Sequence, residues 1–532
     1  MPINVLQIDI LKALKEENSY VSLKDIMIKL SRHKLTARSF QNEIKSILNS
    51  QRGNTRGSAS STEYILEDIQ RSYPSSKFLY VYKDSIIIGL FFKVNDIYRF
   101  YYDTDYLIKY NVALPTLPLQ VEPFDFNEIP PVFEDNLQEG INREIIEITH
   151  KEADEFELLA LIEESIGDIC FSKSKEECYI KGKKAHGYLN SLNEILSSND
   201  KINILHGFKM HFSEVDLFPE NEDLSSLKST RVEGISGYQY KKFIDIDFDN
   251  NKILSDKNAN NYILKPYSKI KADPTTEHYY PHLAINEHLF MSFAKNELGF
   301  RVPYTALIKR ETDKEFHYIV KRFDRLNGDR FAKATFATYL GLRSESKYKT
   351  TTEQMFKRIA KELISPIERM ELLKHYFYSI MIVHEDMHTK NLSLILDEHK
   401  VLFAPLYDIC STPFYSSSKD YETYLTLNGK QKQIRPNDFK GVCKILNVDF
   451  KEFRAVCNDI ALKYINVLPE YFDIIESLGS IPFYHTGYKK VKGDSEMRWY
   501  HKDQIEFVNI LRSGHAKRKE ELINLGWVKQ TQ

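Results

Sequence analysis

Between Ile382 and Cys410 the chain concentrates residues that do chemistry. The run Ile382-Val-His-Glu-Asp-Met-His-Thr-Lys-Asn-Leu-Ser393 is followed by Leu406-Tyr-Asp-Ile-Cys410. Two incompatible chemistries fit. His384-Glu385-x-x-His388 has the zincin spacing, in which two histidines one helical turn apart hold zinc and the glutamate activates water. Asp386-x-x-x-x-Asn391, followed by Asp408, has the spacing of a kinase-like catalytic loop and its metal-binding aspartate. The local motif does not choose between them.

The elements that must carry the motif do. A zincin needs both histidines on one continuous helix and a third ligand downstream. Asn391-Leu-Ser-Leu-Ile-Leu396 reads instead as a strand, leading through Asp397-Glu-His-Lys400 into a second, Val401-Leu-Phe403. A loop followed by a hairpin that ends at Tyr407-Asp408 suits phosphotransfer, and the metalloprotease ranks last.

Phosphotransfer also needs a phosphate loop, a strand lysine and a helix glutamate upstream. Gly234-Ile-Ser-Gly-Tyr-Gln-Tyr-Lys-Lys242 offers the loop, although a glycine pair alone also serves ordinary turns. Lys265 lies in the apolar strand pattern Tyr262-Ile-Leu-Lys-Pro266, where a lone charge is costly unless it meets an anion. Glu287, in the helical pattern over 283–294, supplies that anion. Segments 304–308 and 316–324 read as paired strands, the second leading out of the sheet toward a hinge where backbone groups near Lys321 to Phe323 would bind adenine. Helical patterns follow over 352–363, 366–381, 439–446 and 450–467. The expected fold class is therefore α+β: a mixed-sheet lobe followed by a helical lobe.

Composition limits the alternatives. With 532 residues, 42% hydrophobic and 28% charged, roughly three or four domain-sized units are expected. No apolar run reaches the roughly 18 to 20 residues of a membrane span, and the first sixteen residues form an amphipathic helix pattern rather than a signal peptide. The five cysteines form no CxxC pair, so neither a disulfide framework nor a thiolate zinc site is indicated, and a reducing cytoplasm is expected. The net charge of -2 gives no global pull toward nucleic acid.

A local pull exists at the N-terminus. Val5, Ile8, Leu11 and Leu14 recur at helical spacing, Ser22 can cap a second helix and Thr36 a third. Three short helices read as a helix-turn-helix or winged-helix unit, with 51–61 as wing or loop. Arg32, Lys34, Arg38, Gln41, Asn42 and Lys45 then suit phosphates and base edges of duplex DNA, against the alternative of a small interaction domain with a solvated basic face. From Lys77 the period changes to strands at 78–82, 85–92 and 97–102, a small antiparallel sheet with hairpin turns.

The chain resembles HipA-like serine/threonine kinases, the toxins of bacterial toxin-antitoxin modules. Leu114-Pro-Thr-Leu-Pro-Leu119, Pro130-Pro-Val-Phe-Glu-Asp-Asn-Leu137 with Glu139-Gly140, the Gly-Ile-Ser-Gly-Tyr-Gln-Tyr-Lys loop, Val320-Lys-Arg-Phe-Asp-Arg325, Asp386-x-His-x-Lys-Asn391-x-Ser393 and Ala404-Pro-Leu-Tyr-Asp-Ile-Cys-Ser-Thr412 carry the resemblance, over roughly 77 to 470. It implies a bilobal protein-kinase-like fold over 77–170 (N-terminal subdomain), 171–325 (kinase N-lobe) and 326–482 (helical C-lobe), while the helix-turn-helix or winged-helix unit read at 1–68 and a C-terminal extension at 483–532 lie outside the resemblance.

The resemblance implies Asp386 as the catalytic aspartate, Asn391 and Asp408 as ligands of Mg²⁺, and Lys265, paired with Glu287, as the contact to ATP phosphates. It also implies Gly234, Ser236 and Gly237 in the nucleotide loop, Lys321, Phe323 and Asp324 on the hinge side, and Lys390 beside the transferring phosphoryl. Its typical targets are aminoacyl-tRNA synthetases, and its partners include an antitoxin; a homodimer is compatible with it. Two departures stand out. Where relatives carry an autophosphorylated serine this chain has Gly234, so Ser236 is the expected regulatory phosphosite. The fused N-terminal unit would supply DNA binding or restraint from within the chain. A catalytically weak DNA-binding regulator with a nucleotide-binding body is the alternative function.

Overall fold

The computed structural model describes residues 2–528 apart from 59–60, 84, 176–187, 197–199, 220–231, 236, 277–278, 327, 398–399, 416–417 and 491–496. The chain divides into two units, residues 1–137 with 153–184, and residues 138–152 with 185–532. Residues from the stretches expected as kinase N-lobe, helical C-lobe and C-terminal extension share one hydrophobic core within the second unit.

In the first unit, helices Val5–Glu17, Leu23–Lys29 and Ala37–Asn49 start at Asn4, Ser22 and Thr36, whose side chains each accept a hydrogen bond from a first-turn backbone N–H. Strands Val21–Ser22, Glu63–Leu66 and Gly53–Arg56 form a three-stranded antiparallel sheet beside them. A second sheet places Phe124–Phe126, Ile97–Tyr102, Ile86–Val94, Phe78–Lys83 and Ile169–Ser172 side by side. Fully buried Arg52 joins the two parts, donating from Nε to the Val121 carbonyl at 2.7 Å and from Nη2 to the Tyr102 carbonyl at 2.7 Å. Burial pushes this guanidinium down to about 10.

The second unit holds a six-stranded sheet in the order Lys209–Met210, Lys252–Leu254, Lys242–Asp247, Tyr262–Lys265, His317–Lys321 and Thr305–Ile308. Only the first pairing is parallel. Helix Leu283–Asn296 is buried along most of its length, and Asn286, Glu287, His288 and Ser292 are buried on it among apolar residues. Beyond the sheet, helices Thr352–Ile359, Pro366–Met381, Lys440–Leu446 and Phe450–Ser477 pack around Leu372, Phe377, Phe439, Phe453 and Leu468.

The last helix runs ten residues past the expected end at Val467, through Pro469. Proline removes one backbone donor, but buried Tyr471, Phe472 and Ile475 on the next turns offset that loss. The C-terminal residues are not a separate extension. Phe483, Phe507, Leu511, Leu522 and Trp527 lie in the same core as the helical lobe. Arg518, on helix Phe507–Asn524, donates to the carbonyls of Met381 and Ile380 at 2.8 and 3.0 Å and to Glu422 at 2.7 Å. It thereby caps the end of the helix that leads into the loop carrying Asp386 and Asn391.

Candidate active site

Helix Pro366–Met381 stops because Val383 takes a left-handed conformation at φ +57°. That turn defeats the zincin expectation, since His384 and His388 lie in a loop rather than one turn apart on a helix. The His384 Nδ1 lies 2.9 Å from the Cys410 carbonyl oxygen, and the His388 Nδ1 accepts from the Lys390 backbone N–H at 3.2 Å. Burial lowers both imidazoles, His388 to about 4. No cluster of three or more metal-ligating side chains occurs among the described residues.

After the loop, strand Ser393–Asp397 pairs with Lys400–Phe403, and the chain returns to Asp408. This aspartate is left-handed, at φ +55°, a conformation that aspartate tolerates better than most residues. Its carboxylate meets Lys265. The Lys265 Nζ lies 2.5 Å from Asp408 Oδ1 and 2.8 and 2.9 Å from the two Glu287 oxygens. Lys265 ends its strand opposite Tyr318, and its ammonium lies 5.6 Å from that ring's centre.

The cluster is electrostatically uneven. Burial pushes the Glu287 carboxyl up to about 7, against the pull of Lys265. Burial would also raise Asp408, but Lys265 and Lys241 beside it hold that carboxyl well below the usual range. The two anions raise Lys265 despite the opposing effect of its burial. Asp408 keeps 42% of its side chain exposed, whereas Lys265 keeps 6%. The anion available to a ligand is therefore Asp408.

Buried polar groups lock these segments together. Asn286, adjacent to Glu287 and fully buried, donates to the Ser411 carbonyl at 2.7 Å and accepts from the Ser411 N–H at 2.9 Å. The Ser411 and Thr412 hydroxyls donate to the carbonyls of Ile382 and Val383 at 2.7 and 2.8 Å. Loss of any member would leave buried partners unsatisfied, so the glutamate helix, the Asp408 segment and the loop after Met381 are held as one body.

Within the loop, the Asn391 amide donates to the Asp386 carbonyl at 3.0 Å, which aims the loop's amide and carboxylate from a common turn. The Asp386 side chain is 58% exposed and accepts a hydrogen bond from the Tyr348 hydroxyl. Lys390 is almost buried and engaged by Glu139, with the Ser344 hydroxyl 2.8 Å from its Nζ. Burial would raise Glu139, but Lys390 holds it at about 2.

Of the nucleotide-loop positions, Gly234 and Gly237 are described and Ser236 lies outside the described residues. A side chain at Gly237, φ +110°, would run into the Lys241 ammonium. At Gly140, φ +54°, it would meet the Tyr238 backbone. On the hinge side the Lys321 and Arg322 backbone N–H groups are already used, donating to the carbonyls of Tyr304 and Asn261, each at 2.8 Å. Phe323 packs against Tyr407, ring centres 5.4 Å apart. Asp324 is buried in an ion pair with Arg322 at 2.8 Å and Arg325 at 3.1 Å, so its side chain supports the hinge.

Four site residues were not read as such from sequence: Lys241, Glu139, Ser344 and Tyr348. Lys241 and Glu139 stood inside segments that drew attention for their glycines. Burial pushes the Lys241 ammonium down to about 8, with Asp408 pulling the other way. Ser344 and Tyr348 sit in a short irregular segment with no local signal. Of the N-terminal residues suited to phosphates and base edges, Arg32 pairs with Asp9 at 2.5 Å, while Lys34, Arg38, Gln41, Asn42 and Lys45 are exposed.

Residues 79–171 match the HipA N-terminal domain and residues 234–468 the HipA-like C-terminal domain, together more than half of the chain. The chain belongs to the HipA-like family. HipA of the Shewanella oneidensis MR-1 toxin-antitoxin system, solved in complex with HipB and its operator DNA, superposes with a TM-score of 0.53. The superposition covers 84% of this chain and 96% of that one at 16% identity, so what it shows is the fold. A Sinorhizobium fredii protein named "Putative kinase Y4dM" is 28% identical over 146 residues. That match spans 25% of this chain and 36% of that relative's length. The α+β fold of the HipA family is thus the frame that brings Lys265, Glu287 and Asp408 into one cluster and Asp386 and Asn391 into one loop.

Proposed function

We propose that this protein is a serine/threonine protein kinase of the HipA type, using Mg-ATP. The observation that carries the reading is the joint placement of strand lysine, helix glutamate and Asp408 in one ion-paired cluster, on a segment locked to the Asp386–Asn391 loop. Phosphoryl transfer asks a protein for positioned charge rather than covalent chemistry, and that is what this arrangement supplies.

The acceptor hydroxyl oxygen would form a bond to the γ-phosphorus while the bond from that phosphorus to the bridging oxygen breaks, releasing ADP. The hydroxyl proton would pass to the Asp386 carboxylate. Lys265 would neutralise phosphate oxygens, held in place by Glu287. Asp408 and Asn391 suit Mg²⁺, which takes one or two protein oxygens and completes its shell with phosphates and water, and there it would supply charge neutralisation across the phosphates. The family resemblance points to a translation component, such as an aminoacyl-tRNA synthetase, as acceptor. Phosphoproteomics of cells expressing wild type against Asp386→Asn tests the reading: sites specific to wild type are expected, and identical phosphoproteomes would remove it.

A DNA-binding role for residues 1–68 is supported by one specific observation. Arg38, Gln41, Asn42 and Lys45 share the exposed face of helix Ala37–Asn49, opposite buried Phe40, Ile44 and Ile47. Reversing Arg38 and Lys45 to glutamate in the full chain should abolish a salt-sensitive mobility shift of promoter DNA. A shift unchanged by the reversal would refute this role.

A further inference from the structure

The segment 344–349 has no place in the reaction described so far, yet it touches the catalytic loop at three successive places. The Tyr348 hydroxyl donates to Asp386 Oδ1. The Lys347 carbonyl accepts from the Thr389 hydroxyl at 2.9 Å. The Ser344 hydroxyl donates to Glu139 at 2.5 Å and accepts from Lys390 at 2.8 Å. The segment lies along the loop from its base to its lysine.

We infer that Tyr348 is a positioning residue for phosphoryl transfer, fixing the Asp386 carboxylate so that Oδ2 faces the acceptor hydroxyl. This inference rests on the kinase reading above. An aspartate with more than half of its side chain in water has several accessible rotamers, and a base whose oxygen wanders loses the oriented geometry on which transfer depends. Tyr348 is itself immobilised. Its ring stands edge-on to His388 with centres 5.0 Å apart, and lies 4.3 Å from the Tyr424 ring. An aromatic held on two sides is a stiff arm, so the hydrogen bond fixes one carboxylate oxygen against a rigid reference.

The second oxygen has a different environment. The charged or titratable group facing Asp386 Oδ2 is His388, whose Nε2 is 4.0 Å away, beyond hydrogen-bond reach. No described residue donates to Oδ2, so the acceptor hydroxyl can approach it without displacing a donor among the described residues. An opposite role would follow if the Tyr348 hydroxyl stood where the acceptor belongs, as an occluding group. The two roles predict opposite signs when the hydroxyl is removed.

The test uses full-length Tyr348→Phe, which keeps the ring contacts and deletes only the hydroxyl. Single-turnover transfer from radiolabelled ATP to a serine/threonine peptide library should slow about ten- to a hundred-fold, the loss expected for a hydrogen bond to a charged group. KM for ATP should stay within about twofold, because the hydroxyl does not touch the nucleotide cluster. The slowing should vanish in an Asp386→Ala background, since a positioning residue has nothing to position there. A faster Phe variant would establish occlusion and overturn the inference. So would an unchanged rate, or an equal slowing in the Asp386→Ala background. If wild type transfers no phosphate, the kinase reading falls; if it does and Asp386→Ala matches its rate, the role of Asp386 falls and this inference alone with it.

Discussion

Glu287→Gln isolates the least comfortable charge in the site. The substitution preserves shape and one hydrogen-bond acceptor for Lys265 while removing the carboxylate. Glu287 is pushed up to about 7 by burial, above the ordinary 4.5. A carboxyl whose folded value exceeds its unfolded value adds stability below about 4.5, and loses it as pH rises through about 7, because the unfolded chain releases the proton first. The difference is roughly 2.5 units at 1.36 kcal/mol each, or about 3 kcal/mol. Asp408 and Lys265 titrate far outside this window, so they do not contribute to the change.

The assay is urea unfolding of wild type and Glu287→Gln from pH 4.5 to 8, without nucleotide. Comparing the two proteins cancels every titration they share. Wild type should lose about 3 kcal/mol relative to the variant across that range, and most of the loss should come between 5 and 7. Catalysis should move the other way, since Lys265 loses the partner that holds it and the variant should transfer phosphate more slowly at pH 7.5. Unfolding curves that stay parallel at every pH would refute the assignment of a buried, raised carboxyl.

Other parts of the structure give further expectations. Lys241→Met removes an ammonium pushed down to about 8 by burial, so ATP affinity measured by titration calorimetry at pH 7 should fall about tenfold. Wild-type affinity should weaken above pH 8 as that ammonium deprotonates, and the variant should show no such dependence. Arg518→Met strands Glu422, whose side chain is 6% exposed, so urea stability should drop by roughly 3–5 kcal/mol with unchanged slope. A loss below about 1 kcal/mol would mean that the C-terminal helix is not part of the lobe's cooperative core.

Sequence periodicity carried most of the local structure. The caps Ser22 and Thr36 and the apolar spacing behind the N-terminal helices define those helices, and β-branched and aromatic runs define the sheet strands. These signals are local, arising from residues within one or two turns of each other. Ends were less legible. Helix Phe450–Ser477 passes through Pro469 because the turns beyond it bury aromatic side chains, a contact that no local rule contains.

The sequence by itself determined which residues could perform phosphotransfer, because Lys265, Glu287, Asp386, Asn391 and Asp408 stand in the order and spacing that the chemistry requires. Only the tertiary structure decided how they are held. Val383 turns left-handed and ends the helix, which separates Asp386 from the zincin letters around it. Asn286 and Ser411 lock segments 125 positions apart, and Tyr348 reaches Asp386 across 38 positions. Hydrogen bonds between such distant residues depend on closure of the whole core and leave no trace in local spacing. For that reason the candidate site residues were visible in the chain, while the residues that hold them in place were not.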